Sequence, residues 1–136
     1  MSQENVEIVR RLNDAWNERD EDALLALSHP EVEFVNSPTA VEPGTRRGTN
    51  EVLAAARTQL EFLREGRSEI DRIFDQGEEV IVLGRLSRLM PEGDARIEDR
   101  VLASWTFRDG KVVRWAVLGF GGAEVEKALE AAGLSE

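Results

Sequence analysis

The sequence has 136 residues, which suits one compact domain, because two domains of half that length would each lack a self-sufficient core. We therefore expect residues 1–136 to fold as a single domain. Hydrophobic residues make up 41% and charged residues 32% of the chain, a balance that supports a core and argues against disorder or a fibre. The net charge of -10 would repel a phosphate backbone, so no nucleic-acid partner is expected.

The residue types in the chain also limit the chemistry that the protein can perform and the compartments in which we expect it. The chain has no Cys, which excludes disulfides, thiolate nucleophiles and thiolate metal sites. Its one His, His29, has no neighbours at the spacing of metal ligands, so we expect neither a metal nor a cofactor. The start MSQENVEIVRRL lacks the apolar core of a signal peptide, and no later run reaches the length of a membrane span. We expect a cytoplasmic protein without membrane contact.

The first third of the chain predicts two helices and a strand. Residues 3–17 carry apolar side chains at three- and four-residue steps, the pattern of an amphipathic helix. Asp20 can cap a short second helix, which His29-Pro30 would end because a residue before proline avoids the helical region. Residues 32–37 then form a short strand candidate, closed by Pro38.

The segment 38–48 contains Pro38, Pro43, Gly44 and Gly48 and has no periodicity, so it predicts a loop of the kind that often lies over a site. Thr49 can cap a third helix that Gly66 stops. The pattern then alternates, and four strands joined as consecutive antiparallel hairpins are predicted over 69–74, 79–90, 96–108 and 112–120. A final helix over 123–132 ends at Gly133. Helices and strands are segregated, which indicates an α+β fold.

The strand pattern predicts a two-sided sheet. Residues 80–83 are apolar at consecutive positions, as are many in 112–118, so both faces of the sheet should be covered. Three helices in a chain this short can cover one face, and we therefore expect a homodimer in which a symmetry mate covers the outer face.

The hairpin at Asp109-Gly110 predicts which side chains point inward. In simple register one face is apolar, with Val101, Ala103, Trp105, Phe107, Val113, Trp115 and Val117. The other face carries Arg100, Leu102, Ser104, Thr106, Arg114, Ala116 and Leu118. Trp105 and Trp115 are then either ordinary core residues or the walls of an apolar pocket closed by Trp16. A slip of one residue would instead turn Arg85, Arg100 and Arg114 into the cavity and indicate an anionic substrate.

Five segments in this order resemble the nuclear transport factor 2-like superfamily and, within it, the SnoaL-like group. They are VRRLNDAWNERD at 9–20, HPEVEF at 29–34, RGTNEV at 47–52, WTFRDGKVVR at 105–114 and ALEAAGL at 128–134. The resemblance implies a cone-shaped curved antiparallel sheet wrapped around the N-terminal helices, a cystatin-like α+β roll, with a pocket at its wide end and commonly a dimer. The superfamily includes isomerases, dehydratases, polyketide cyclases and epoxide hydrolases as well as members without chemistry, so the fold alone does not select an activity.

The catalytic residues of those enzymes do not carry over to this chain. The resemblance implies that the ketosteroid isomerase positions fall on Leu12, Ser37 and Ala103, the cyclase acid near Phe120, and the epoxide hydrolase positions on Val80, Val82 and Val117. None of these side chains supplies the expected Tyr, Asp or Arg.

Three polar residues remain as candidates. Asp99 shares a face with Val101 and is the best candidate for a general base, although it could equally lie in water and pair with Arg96 or Arg88. Asn36 and Ser37 could hydrogen-bond a ligand, or they could serve the turn before Pro38.

Three functions follow from these residues. The first is a pocket protein that binds a small, largely apolar molecule. Its ligand-binding residues would be Trp16, Asn36, Ser37, Phe62, Val101, Trp105, Trp115 and Val117. The second is an isomerase, dehydratase or cyclase acting on a polyketide- or terpene-like compound, with Asp99 as base and Asn36 as orienting group. The third is a structural dimer whose cone is filled by its own side chains.

Overall fold

The computed structural model describes residues 2–38, 40, 43–63, 65–90 and 92–135, with the side chains of residues 2 and 62 left aside. The described residues form four helices and six strands. The helices are α1 Ser2–Glu18, α2 Glu21–Ala26, α3 Thr49–Phe62 and α4 Gly122–Ala132. The strands are β1 Ser28–Asn36, β2 Gly44–Arg47, β3 Arg67–Gln76, β4 Glu79–Leu89, β5 Arg96–Arg108 and β6 Lys111–Phe120.

The strands form one six-stranded sheet in the order β2-β1-β6-β5-β4-β3. Strands β3 to β6 are consecutive antiparallel hairpins, as their alternating pattern predicted. The turn between β5 and β6 has positive φ at both Asp109 (56°) and Gly110 (75°), which is the requirement of a tight primed turn. The α+β fold class is confirmed.

Two features of the sheet were not predicted. Strand β1 pairs in parallel with β6, at the opposite end of the chain, and starts at Ser28 rather than at residue 32. Part of the predicted loop 38–48 forms β2, which pairs antiparallel with β1. Neither pairing leaves a local signal in the sequence, because a parallel neighbour is not joined by a short turn and a four-residue strand is too short to show a period.

The helix ends follow local backbone chemistry. The Oδ1 atom of Asp20 accepts a hydrogen bond from the Ala23 backbone N–H at 3.1 Å, so the predicted cap of α2 is confirmed. The predicted end at His29-Pro30 is wrong, since the helix ends at Ala26 and both residues lie in β1. Gly48, with φ 86°, occupies the N-cap position of α3 that was predicted for Thr49.

Two β-bulges adjust which β6 side chains face inward. Thr106 pairs with Arg114 and Phe107 with Val112, so Val113 is the extra residue of a bulge in β6. The inward assignment of Val113 is therefore wrong, and Val112 takes its place. A second bulge lets Phe120 pair with Val101. The remaining inward assignments in this hairpin keep the predicted alternation.

The sheet has a separate apolar cluster on each face. The inner cluster lies between the sheet and helices α1 and α3, with Val9, Leu12, Val32, Phe34, Val52, Ala55, Val80, Val82, Phe107 and Val112 buried in it. The outer cluster joins Ile81, Leu83 and Leu102 to Val125 and Leu129 of α4. Helix α4 therefore covers the outer face of the run 80–83, which we had assigned to a symmetry mate. The homodimer stays a prediction.

Candidate functional site

The inner face of the sheet and helices α1 and α3 enclose a cavity of about 640 Å³. Helix α1 packs mainly on β3 and helix α3 on β1 and β2, so the cavity lies over the strands between them. The lining is mainly apolar. It includes Leu12, Trp16, Val32, Phe34, Val52, Leu86, Val101, Ala103, Trp105, Trp115, Val117 and Phe120. Such a space accommodates a small organic molecule of ordinary size.

Three stacked aromatic rings line one wall of the cavity. Trp105 and Trp115 are direct neighbours across the β5–β6 hairpin, with ring centroids 5.1 Å apart and planes only 2° from parallel. Phe34, on the parallel strand β1, continues the row with its centroid 4.1 Å from that of Trp115. The row is a polarisable aromatic wall that a planar molecule can contact face to face at its ends and edge to face along its length.

Trp16 lines the same cavity from helix α1. Its ring carries the guanidinium of Arg19 at 5.2 Å from the ring centroid. All three tryptophans of the chain therefore border one space. Of the other predicted ligand-binding residues, Val101, Val117, Asn36 and Ser37 also line it, whereas the side chain of Phe62 lies outside the described part of the chain.

Asn36 and Ser37 lie where β1 ends at the cavity. The Ser37 backbone N–H donates to Oδ1 of Asn36 at 2.9 Å, and the Ser37 hydroxyl donates to Oε1 of Glu124 at 3.5 Å. The hydrogen bond from the Ser37 N–H to the Asn36 side chain is of the kind found in turns, which was the alternative to a role in ligand binding. Both residues remain candidates, because both border the cavity.

Asp99 and Arg88 form an ion pair on the inner face. Asp99 pairs in register with Leu86, and its Oδ2 accepts a hydrogen bond from Nη1 of Arg88 at 3.0 Å. The two side chains are 33% and 22% exposed. Arg88 lines the cavity, whereas Asp99 is not among the described lining residues. Pairing with Arg88 was one of the two alternatives to a catalytic Asp99, and the role of base stays a prediction.

The other charged groups are divided between the two faces. Arg85 and Arg100 are register neighbours on the outer face of β4 and β5, and Arg114 also lies on that face, as the simple register predicted. Arg114 binds Glu33 at 3.2 Å, and Arg85 binds Asp71 and Glu98. The hydrogen bond and the charge of Asp71 raise the pKa of the Arg85 guanidinium.

The sequence reasoning missed Phe34 and Arg88 as lining residues. Phe34 could have been found only from the parallel partner of β1. Arg88 had a local signal, since it follows Val82, Gly84 and Leu86 at steps of two on β4.

A more open depression of about 690 Å³ lies beside the end of α1 and the start of β3. Two of its three arginines donate to neighbouring backbone oxygens: Arg19 to Gly66 at 2.9 Å and Arg96 to Glu65 at 2.7 Å. Elsewhere in the described residues, no three His, Asp or Glu side chains lie close enough to share a metal ion. No helix of the described chain is long and apolar enough to cross a membrane.

Comparison with solved structures defines the class of fold. A nuclear transport factor 2-like protein of unknown function from Burkholderia pseudomallei aligns with a TM-score of 0.76 and 25% identity, over 92% of this chain and 96% of that one. A candidate SnoaL-like polyketide cyclase from a Jannaschia species gives 0.76 and 19%, over 95% and 93%. TerC, co-crystallised with polyporic acid, gives 0.74 and 24%, over 93% and 98%.

The sequence pattern of the SnoaL-like domain matches residues 9–115. The chain therefore belongs to the SnoaL-like domain family, and the resemblance drawn from its five segments is confirmed. A search of curated protein sequences found no match.

Proposed function

We propose that this protein binds a small, flat aromatic molecule in its inner cavity. The observation that carries the proposal is the row of stacked rings formed by Trp105, Trp115 and Phe34, which borders the cavity. A planar guest that contacts this row, face to face at its end or edge to face along it, gains both apolar burial and favourable ring geometry. Trp16 on the opposite helix supplies a second aromatic surface.

The size of the cavity argues against a purely structural role. A cone filled by its own side chains would keep the dense packing of a protein interior, in which voids larger than a water molecule are few. The space of about 640 Å³ lies within the range of ligand pockets. TerC, a protein of similar fold, was co-crystallised with a small molecule, polyporic acid.

An enzyme is the second candidate, favoured by the Arg88–Asp99 pair beside the cavity. In this proposal Asp99 removes a proton from a polyketide- or terpene-like substrate, and Asn36 orients the substrate. Binding would then precede an isomerisation, dehydration or cyclisation. Asp99→Asn should abolish turnover in a screen of such compounds, and unchanged turnover would exclude Asp99 as the base.

Ligand binding can be tested with N-phenyl-1-naphthylamine, an uncharged aromatic probe whose emission rises in apolar surroundings. Because all three tryptophans border the cavity, a probe bound there should receive energy from them. We expect saturable binding of one probe per chain. Trp115→Leu should weaken it about tenfold, since loss of stacking and of ring area removes roughly 1–2 kcal/mol.

Two further variants make the result specific. Ala103→Leu adds volume to the cavity wall without removing a ring and should also weaken the probe. Leu118 lies on the same strand as Trp115, but its side chain is 40% exposed on the other face. The Leu118→Ala variant should therefore bind the probe with the affinity of the parent protein. The proposal fails if no saturable binding occurs, or if all three variants bind the probe equally.

A further inference from the structure

We infer that the aromatic guest carries an acidic group, a carboxylate or an ionised phenol, and that Arg88 binds it. This inference rests on the proposed function, because it names the class of ligand for the same cavity. According to this inference, Arg88 makes the cavity prefer acidic guests to uncharged ones.

The first argument is the charge on the cavity wall. Among the described lining residues the charged ones are Arg46, Glu69 and Arg88. The carboxylate of Glu69 is bound by Nη2 of Arg85 at 2.9 Å, and Arg85 belongs to the outer face. The lining therefore carries two guanidinium groups against one carboxylate, and that carboxylate is held by a cation of the outer face, although the whole chain has a net charge of -10.

The second argument is the hydrogen-bonding capacity of Arg88. A guanidinium has five N–H donors. Within the described chain one of them, on Nη1, is used, by Asp99 at 3.0 Å. The others can donate to an acidic guest, and a carboxylate matches the planar fork of a guanidinium in two parallel hydrogen bonds.

The third argument is the environment of that side chain. Arg88 is 22% exposed, and Leu86 and Val101 line the wall beside it. Charge-assisted hydrogen bonds are stronger where water is largely displaced. Arg46 lies on the short edge strand β2 and donates to the Pro43 carbonyl at 3.3 Å, so it is less suited to fix a guest against the indole row.

The orientation also suits the aromatic row. On β4, Gly84 pairs with Val101 and Val82 with Ala103, so Arg88 follows the same inner column beyond the tryptophans. Trp105 pairs with Val80, eight residues before Arg88 on the same strand, so a guest that contacts both side chains must extend along the cavity. The cavity thus has an aromatic wall and, further along β4, a cation.

The test compares two probes that share the same rings. N-phenyl-1-naphthylamine is uncharged, and 8-anilino-1-naphthalenesulfonate adds one anionic group. Arg88→Gln should weaken the sulfonate about tenfold and change the uncharged probe less than twofold, because a charge-assisted hydrogen bond is lost for one probe only. The matched control Arg114→Gln removes an arginine from the outer face of β6 and should leave both affinities unchanged.

A second variant should change the affinity for the sulfonate in the opposite direction. Asp99→Asn removes the carboxylate that competes for Arg88, so the sulfonate should bind about threefold or more tightly while the uncharged probe is unaffected. Circular dichroism and urea unfolding check that each variant is folded.

The outcomes separate the two proposals. If neither probe binds, the proposed function fails and this inference with it. If the uncharged probe binds and Arg88→Gln changes both probes equally, the ligand class is wrong and the aromatic site stands. A selective loss of the sulfonate in Arg46→Gln, with Arg88→Gln unchanged, would also overturn the assignment to Arg88.

Discussion

Gly84 shows how a single missing side chain permits the fold. It lies on β4 opposite a bulge in β3, and a Cβ built on it would come within 2.4 Å of the Glu69 carbonyl oxygen. That oxygen belongs to the backbone and cannot rotate away. A residue with a side chain would therefore push the two strands apart.

We predict that Gly84→Ala lowers the free energy of unfolding by about 1–3 kcal/mol, the usual cost of overpacking. Urea denaturation measures this directly. Gly122→Ala is the matched control, since nothing lies within 4 Å of its added Cβ and it begins a helix. Equal stabilities of the two variants would mean that β3 does not approach Gly84 as described.

Helix α4 covers the outer face of the sheet, and its printed contacts with cavity-lining residues are made by Glu124, which accepts from Ser37 and Phe120. Its Leu129 is 6% exposed and packs with Val125 against the outer face of the sheet. Leu129→Ala should lower the free energy of unfolding by about 2–4 kcal/mol through lost burial and a new cavity. The affinity for N-phenyl-1-naphthylamine should stay unchanged, because the two apolar clusters lie on opposite faces.

Urea unfolding and probe titration of the same sample test both parts of this prediction. Lys127→Ala, at an exposed position of the same helix, should alter neither quantity by more than about 0.5 kcal/mol. A Leu129→Ala variant with native stability but weakened probe binding would reverse the roles assigned to the two faces.

The short helix α2 is tied to α3 by an exposed ion pair. Arg57 donates from Nε and Nη2 to the two carboxylate oxygens of Glu21, at 2.8 and 2.7 Å. These hydrogen bonds hold the pKa of the Glu21 carboxyl below its ordinary value. The pair thus stabilises the folded chain above the ordinary carboxyl pKa, and this contribution is lost as the pH falls through the lowered value.

We predict that Arg57→Gln raises the pKa of Glu21, measured from its carboxyl carbon shift by NMR. The stability difference between this variant and the parent should be greatest near neutral pH and disappear in acid. Because the pair is exposed, added salt should reduce it. Lys127→Gln, which also removes one positive charge at an exposed position, serves as a control for charge alone. An unchanged Glu21 titration would show that the pair does not form in solution.

For the molecule as a whole, local sequence patterns predicted the features that depend on neighbouring residues. The hairpins from β3 to β6 follow from alternation and from turns such as Asp109-Gly110, and the apolar inner face follows from the same period of two. The family resemblance supplied the curved sheet around helices. The pairing of β1 with β6 joins distant segments, so no local pattern indicated it.

The same distinction explains the candidate site. Trp16, Trp105 and Trp115 border one space, and this could be predicted because the helix and the strands that carry them have a clear hydrophobic period. Val113 was misassigned because a bulge depends on how two strands twist together, which their separate sequences do not specify. The covering of the outer face by α4 is a matter of tertiary packing and was likewise not predicted.

The most direct test of the aromatic site is an NMR titration of the indole N–H signals with N-phenyl-1-naphthylamine. The chain has three tryptophans, and single Trp→Phe variants assign their signals. We predict that the signals of Trp105 and Trp115 shift as the probe is added and saturate with the same Kd as the probe's own emission. Saturating emission with both signals unmoved would place the probe elsewhere and contradict the account.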